Sequence, residues 1–209
     1  MSTIQDVILV RHGESVSNVT QRFAYRAWDP PLTERGQRQA QALAAALRTL
    51  PISCLATSPL LRTRKTIEPL SQALGMDPVV VDDLMEVNLG RWDGAFMEEL
   101  STSEADRDLY AAWRKDPEAF PPPGGESVMA VGRRILRGLD RLLDDHSGTL
   151  VVAATHGDCL KGAALAALGA PGDCARQMKS PNAGIVCLER DANRQWRINL
   201  APALAGWDV

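Results

Sequence analysis

Residues 149–157 read TLVVAATHG. The run to Thr155 is continuously apolar apart from its end residues, with no alternation of polar and apolar positions. A strand of that kind is buried on both faces, as in the middle of a parallel sheet covered by helices. It stops at His156-Gly157. A second stretch has the same form: DVILVR at residues 6–11 runs directly into His12-Gly13. Ser53–Thr57 and Pro78–Val81 are two further short strands. Between the strands lie longer patterns of helical period. From Thr33 to Leu50 the apolar positions Ala40, Leu43, Ala44, Leu47 and Leu50 recur at helical spacing, with Thr33 as N-cap. A helix from about Pro59 to Leu74 follows the second strand. Ser127–Asp145 is strongly amphipathic, with Val128, Val131, Ile135, Leu139, Leu142 and Leu143 on one face. Another helix begins near Asp158. Gly184–Glu189 and Trp196–Leu200 close the sheet as an edge hairpin, a candidate edge for a homodimer. Alternating strands and helices predict an α/β fold with a mainly parallel sheet.

The chain has 209 residues, 45% apolar and 23% charged, with a formal net charge of −3. That length and composition suit one soluble domain, residues 1–209, without repeats or low-complexity linkers. The negative balance argues against nucleic acid or a membrane surface as partner, because neither polyanion is attracted to the chain as a whole. No apolar run approaches the roughly 18 residues of a membrane span, and Met1–Asp6 has no signal-peptide pattern. Cys54, Cys159, Cys174 and Cys187 are scattered and read as buried free thiols, which points to a cytoplasmic location. Residues 96–125 differ from the rest. They are acidic, carry Tyr110, Trp113 and Phe120, and end in PPPGG. They read as a lid-like insertion over the site.

The chain has only three histidines. His146 lies in a polar turn and reads as a solvated loop residue. His12 and His156 each follow a core strand and precede a glycine, and the carboxyl ends of parallel strands are where ligands sit. Neither has a second ligand at metal-binding spacing, so no metal and no cofactor is expected. Arg11 beside His12 offers a planar fork for phosphate. A neutral histidine has a free ring nitrogen able to attack phosphorus. Gly13 is read as a tight turn, and Asn18 as a further donor. In SPLLRTRKT (residues 58–66), Arg62 falls about one turn into a helix that starts at a strand end, whose N-terminus itself favours an anion. Arg64 and Lys65 read as surface residues. After the strand at Val81, Glu86 sits in a more apolar setting than Asp82 and Asp83, which suits a proton donor with a raised pKa. His156, if protonated, neutralises charge on a phosphoryl group.

These segments, RHGES…N, SPLLRTRKT, MEVNLGRWDG, PPGGES and THGD, resemble the histidine phosphatase (phosphoglycerate-mutase-like) superfamily, in the family's order from about residue 7 to 160. The resemblance implies a three-layer α/β/α sandwich with a mixed, mostly parallel sheet. It implies that His12 is the phosphorylated nucleophile, that Arg11, Asn18, Arg62 and His156 bind the phosphoryl group, and that Glu86 is the proton donor and then the base that activates water.

Val16-Ser17 before Asn18, and LGRWDG after Glu86, resemble the phosphatase branch rather than the mutases. The expected activity is a phosphomonoesterase acting on a small phosphorylated metabolite of the sugar phosphate, α-ribazole phosphate or phosphoserine class. A phosphoglycerate mutase is the alternative, and a catalytically silent phosphate-binding module the second. Substrate choice is expected from Arg22, Phe23, Tyr25 and Arg26 and from the insertion, whose aromatics are either core or substrate contacts. Asp158 departs from the small residue common in relatives, and either caps the next helix or orients substrate. Ser127 is expected to cap the long helix, and Glu126 is a candidate to reach the site.

Overall fold

The computed structural model describes residues 4–146 and 150–200. Thr149, the first residue of the expected central strand, and Ser147-Gly148 of the turn before it lie outside them. One six-stranded sheet has the order β3-β2-β4-β1-β5-β6, from β1 (Gln5–Arg11), β2 (Cys54–Thr57), β3 (Val79–Val80), β4 (Leu150–Thr155), β5 (Ile185–Arg190) and β6 (Trp196–Ile198). The first four strands are parallel; β5 pairs antiparallel with β1, and β6 with β5. The central place of β4 and the edge hairpin agree with the reading of the sequence.

Strand side chains alternate between two cores, as the pleat requires. Ile8, Val10, Leu55, Val152 and Ala154 face a cluster with Leu43, Leu47, Ile67 and Leu70, from α2 (Glu34–Leu47) and α3 (Leu61–Leu74). Val7, Leu9, Ala56, Val151 and Ala153 face the larger cluster on the other side. That side is covered by α6 (Val128–Asp145) and α7 (Gly157–Leu168). The result is the three-layer sandwich. A five-residue helix, α1 (Val16–Thr20), follows β1, and two more, α4 (Met97–Thr102) and α5 (Arg107–Lys115), lie in the stretch read as an insertion. No helix among the described residues is long and apolar enough to cross a membrane.

Several boundaries moved for local reasons. α2 ends at Leu47 rather than Leu50, because Pro51 disfavours helical backbone in the residue before it. Thr33 is its N-cap, accepting from Gly36 N, and Ser127 caps α6 by accepting from Ala130 N. Asp158 is not a cap. His156 holds that position, and Asp158 lies in the first turn of α7, paired with Lys161 at 3.0 Å. Residues 96–125 do not stand apart from the core: Tyr110 and Trp113 are buried in the large cluster with Phe23 and Trp92, in edge-to-face and stacked contacts. The aromatic residues Tyr110 and Trp113 are therefore core, while Phe120 is exposed. His146 is the C-cap residue of α6, its Nδ1 2.8 Å from the Leu142 carbonyl. All four cysteines are free, with Cys54 and Cys159 buried and Cys174 and Cys187 only half-buried.

The contact between α6 and α7 depends on two glycines. A Cβ on Gly132 would overlap the Gly162 carbonyl, and one on Gly162 would meet Val128 O at 2.6 Å. Both obstacles are backbone and cannot rotate away. Gly132→Ala is expected to destabilise the fold by about 1–3 kcal/mol through overpacking. The readout is a lower urea midpoint at unchanged slope; an unchanged midpoint would show that the two helices can separate freely.

Candidate active site

The parallel register pairs Arg11 with Thr155. The next residues, His12 and His156, therefore leave the sheet side by side, with ring centroids 5.3 Å apart. His12 N donates to Thr155 O at 3.0 Å and Ser58 N to Ala154 O at 2.9 Å, so three strand ends converge.

His12 is buried, with Nδ1 2.7 Å from the Gly13 carbonyl. That contact places the ring proton on Nδ1 and leaves a lone pair on Nε2, which accepts from Arg62 Nε at 3.3 Å. Burial, followed by the Arg62 guanidinium, pushes the His12 pKa well below the ordinary imidazole range. The neutral ring is thus favoured, and its tautomer and direction are fixed. Gly13 serves a different purpose from the tight turn expected of it. A Cβ there would meet Gly36 O at 2.6 Å, so glycine allows α2 to approach the His12 loop. Gly13 N also donates to Thr66 Oγ1 at 3.0 Å.

Arg62 is 1% exposed. Its Nη2 donates to Ala24 O at 2.8 Å, Asp29 lies 3.5 Å from Nη1, and Glu86 3.9 Å from Nη2. Nη1 has no hydrogen-bond partner, nor does the buried Nε of Arg11, whose Nη1 donates to Ser180 O. Buried cations with idle donors are costly, and an incoming anion would relieve that cost. The loop that supplies Ala24 and Asp29 is held by Asp93, whose carboxylate accepts from the backbone of Tyr25, Arg26 and Ala27 at 2.7–2.8 Å. The Asn18 carbonyl oxygen accepts from Ser15 N and Asn182 Nδ2, both at 3.0 Å, leaving its amide nitrogen for the cavity.

Glu86 lies in the loop after β3, Oε2 3.6 Å from His156 Nδ1. Burial raises its pKa; Arg62 pulls the other way and Asp158 adds to the rise. His156 is fully buried, with Nε2 3.0 Å from Ser58 Oγ and no hydrogen-bond partner at Nδ1. Burial, Arg62 and then His12 push its pKa well down. These effects disfavour the imidazolium, the condition attached to charge neutralisation by His156 in the sequence reading, and Nδ1 is the ring atom that faces Glu86.

Arg11, His12, Asn18, Arg62 and Glu86 line a cavity of about 490 Å³ together with Arg22, Phe23, Met97, Trp113, Asp158, Lys161, Ser180 and Asn182, whereas the fully buried His156 is not among the lining residues. Of the five residues expected to contact substrate, Arg22 and Phe23 are among the lining and Tyr25, Arg26 and Glu126 are not. Arg26 lies over the Tyr25 ring, and Glu126 is bound by Arg134 at 2.8 Å. Ser58, Ser180, Asn182 and Lys161 had not been read as site residues. Ser58 carried a usable signal, a hydroxyl at a strand end before the arginine helix. Ser180 and Asn182 sit in a loop without periodicity, and only the pairing of β5 with β1 brings them in. His12, Glu86 and His156 also offer ligand atoms within 4.8 Å of one another.

With this geometry in view, the chain belongs to the histidine phosphatase superfamily (branch 1), whose family description matches residues 7–201. It is 37% identical over 151 residues, 72% of this chain, to a bifunctional protein of Mycobacterium tuberculosis, of whose length it spans only 40%. It is 32% identical to a probable phosphoglycerate mutase of Cronobacter sakazakii, over 86% of this chain and 82% of the relative. Among solved structures, a mycobacterial glucosyl-3-phosphoglycerate phosphatase superposes with a TM-score of 0.80 at 26% identity, covering 94% of this chain and 97% of the other.

Inorganic phosphate is expected to bind here and raise unfolding stability by about 2.7 kcal/mol at one hundred times its Kd. Arg62→Met should lose most of that gain while the phosphate-free protein keeps its stability or improves on it. A loss of several kcal/mol without phosphate would instead make the guanidinium a structural group.

Proposed function

We propose that the protein is a phosphomonoesterase that hydrolyses a small phosphorylated metabolite through a phosphohistidine at His12. The observation that carries this reading is a buried His12 on the cavity wall, with Nδ1 held by the Gly13 carbonyl and Nε2 accepting from Arg62 Nε at 3.3 Å, beside Arg11 Nε and Arg62 Nη1, two buried guanidinium nitrogens without hydrogen-bond partners.

The chemistry balances in two steps. His12 Nε2 attacks phosphorus and the P–O ester bond breaks toward the leaving oxygen, which takes the Glu86 proton. Glu86 carboxylate then takes a proton from water as the water oxygen attacks phosphorus. The P–N bond breaks, its electrons return to Nε2, and phosphate leaves. Arg11, Arg62, the Asn18 amide and His156 Nδ1 hold the three phosphoryl oxygens and stabilise charge as it develops. The guanidinium 3.3 Å from His12 Nε2 disfavours a cation among His12, Glu86 and His156, so the reading is metal-independent. Trp113 and Met97, carried by α5 and α4, join Arg22 and Phe23 on the cavity wall, and in this reading that wall selects the leaving group. Sugar phosphates, α-ribazole phosphate and phosphoserine are the classes to screen. The four free thiols suit a reducing, cytoplasmic setting.

Likeness to a probable phosphoglycerate mutase favours one second reading, phosphoryl return to a reoriented product. Interconversion of the two phosphoglycerates faster than their hydrolysis would select it.

His12→Ala is expected to abolish both p-nitrophenyl phosphate hydrolysis and acid-labile phosphate labelling; turnover retained in that variant overturns the reading. The pH dependence has a defined sign. A Glu86 pKa raised from its ordinary value keeps the acid form present to higher pH, and the lowered His12 pKa keeps the nucleophile neutral on the acid side. For an ester with a poor leaving group, kcat/KM should therefore fall as pH rises through the Glu86 pKa, above the usual carboxylate value of about 4. Glu86→Gln should remove that limb.

A further inference from the structure

Glu86 sits on a stretch, Met85–Leu89, that is neither helix nor strand. A proton donor needs a position fixed to a fraction of an ångström, and such a stretch does not provide it by itself. Its main-chain groups are nevertheless captured in sequence. Arg134 of α6 donates through Nη1 to Asp83 O at 2.6 Å and to Met85 O at 3.0 Å, and through Nη2 to Glu86 O at 3.1 Å. Thr155 Oγ1 donates to Leu84 O at 2.7 Å and Cys159 Sγ to Met85 O at 3.0 Å. Two residues further on, Glu126 brackets Asn88: Asn88 N donates to Glu126 Oε2 and Glu126 N donates to Asn88 O, each at 2.9 Å. The two brackets are joined, because the Glu126 carboxylate accepts from Arg134 Nε at 2.9 Å and from Nη2 at 2.8 Å.

We propose that the Arg134–Glu126 pair is a positioning clamp for the proton donor, holding the backbone on both sides of Glu86 so that its carboxyl stays beside His156 Nδ1 and Arg62. The inference rests on the reading of Glu86 as acid and base. The bidentate pair is the fork geometry that arginine makes with carboxylate and lysine cannot, and the same guanidinium reaches three carbonyls of residues 83–86. Neither side chain lines the cavity, so neither touches substrate. Glu126, a candidate substrate contact in the sequence, acts through Glu86 instead. Gly138 adds to the arrangement, since a Cβ there would meet the Asp83 Cβ at 2.5 Å. α6 can therefore lie close enough to the loop for Arg134 to reach it.

The test uses leaving groups that differ in their need for a proton. p-Nitrophenolate leaves unaided, whereas an alkoxide requires the acid. Arg134→Lys and Glu126→Gln, each checked for folding by circular dichroism and thermal unfolding, are compared with Glu86→Gln on p-nitrophenyl, phenyl and alkyl phosphates. The expected result is that the ratio of kcat/KM for the p-nitrophenyl ester to that for the alkyl ester rises at least tenfold in both clamp variants, in the same direction as in Glu86→Gln. Phosphohistidine should also accumulate in the steady state, because water activation weakens too. Equal loss on all three esters, or no loss, in a folded clamp variant overturns the clamp when Glu86→Gln does show the bias. If Glu86→Gln itself shows no bias, the acid assignment falls and the clamp with it. Should Arg134→Lys fail to fold, Glu126→Gln alone decides, since it removes the charge of the pair and keeps its shape.

Discussion

The parallel register of β1 on β4 is the constraint on which the site depends. Pairing Arg11 with Thr155 means that two histidines 144 positions apart in the chain leave adjacent strands at the same level. A one-residue slip would turn every side chain of β1 to the opposite core and send His12 away from His156. The apolar alternation of Val7, Ile8, Leu9 and Val10 between the two clusters forbids that slip. Packing on both faces of the sheet thus sets how His12 and His156 face each other, before any polar contact is considered.

The polar contacts then work against the fold's own preference. Arg62, His12 and His156 are all buried, and burial disfavours the charged form of each. For the histidines the response is a lowered pKa, which favours the neutral ring and lets His12 Nε2 accept from Arg62 Nε. Arginine has no such recourse, because its pKa is too high. It remains a buried cation with Asp29 and Glu86 at 3.5 and 3.9 Å and one nitrogen idle. The same low dielectric that makes this arrangement costly strengthens attraction to a phosphate dianion. Glu86 is balanced differently: desolvation raises its pKa while Arg62 lowers it, with a net rise.

The rest of the molecule supports loops that carry the chemistry. Asp93 binds three successive amides of the loop leading to Asp29, and Asp106 accepts from Trp92 Nε1 at 2.8 Å. Arg134 holds the loop of Glu86. Asp93 and Arg134 spend their charge on loop backbone and Asp106 on the Trp92 indole, and hydrogen bonds to ionised groups are the stronger ones. The aromatic contacts among Phe23, Trp92, Tyr110 and Trp113 join α5 to the same loops, so the cavity wall and the hydrophobic core are one structure.

The sequence by itself determined the alternation of strands and helices, the central place of TLVVAAT, the caps Thr33 and Ser127, and the group of His12, Arg11, Arg62, Glu86 and His156. Periodicity and capping are local, and the five residues were read from their combination, two histidines at strand ends with arginines and a carboxylate nearby, and from the motif resemblance rather than one at a time. Only the tertiary structure decided which residues of the irregular segments reach the cavity. Arg22 and Phe23 do; Tyr25, Arg26 and Glu126 turn to other partners; Ser180 and Asn182 enter from the far end of the chain. It also decided the lowered pKa of His156, since that depends on burial and on guanidinium groups brought in from α3, β1 and α6. A loop's side-chain direction follows from long-range contacts and has no period to read. A pKa follows from surroundings that a linear order does not contain.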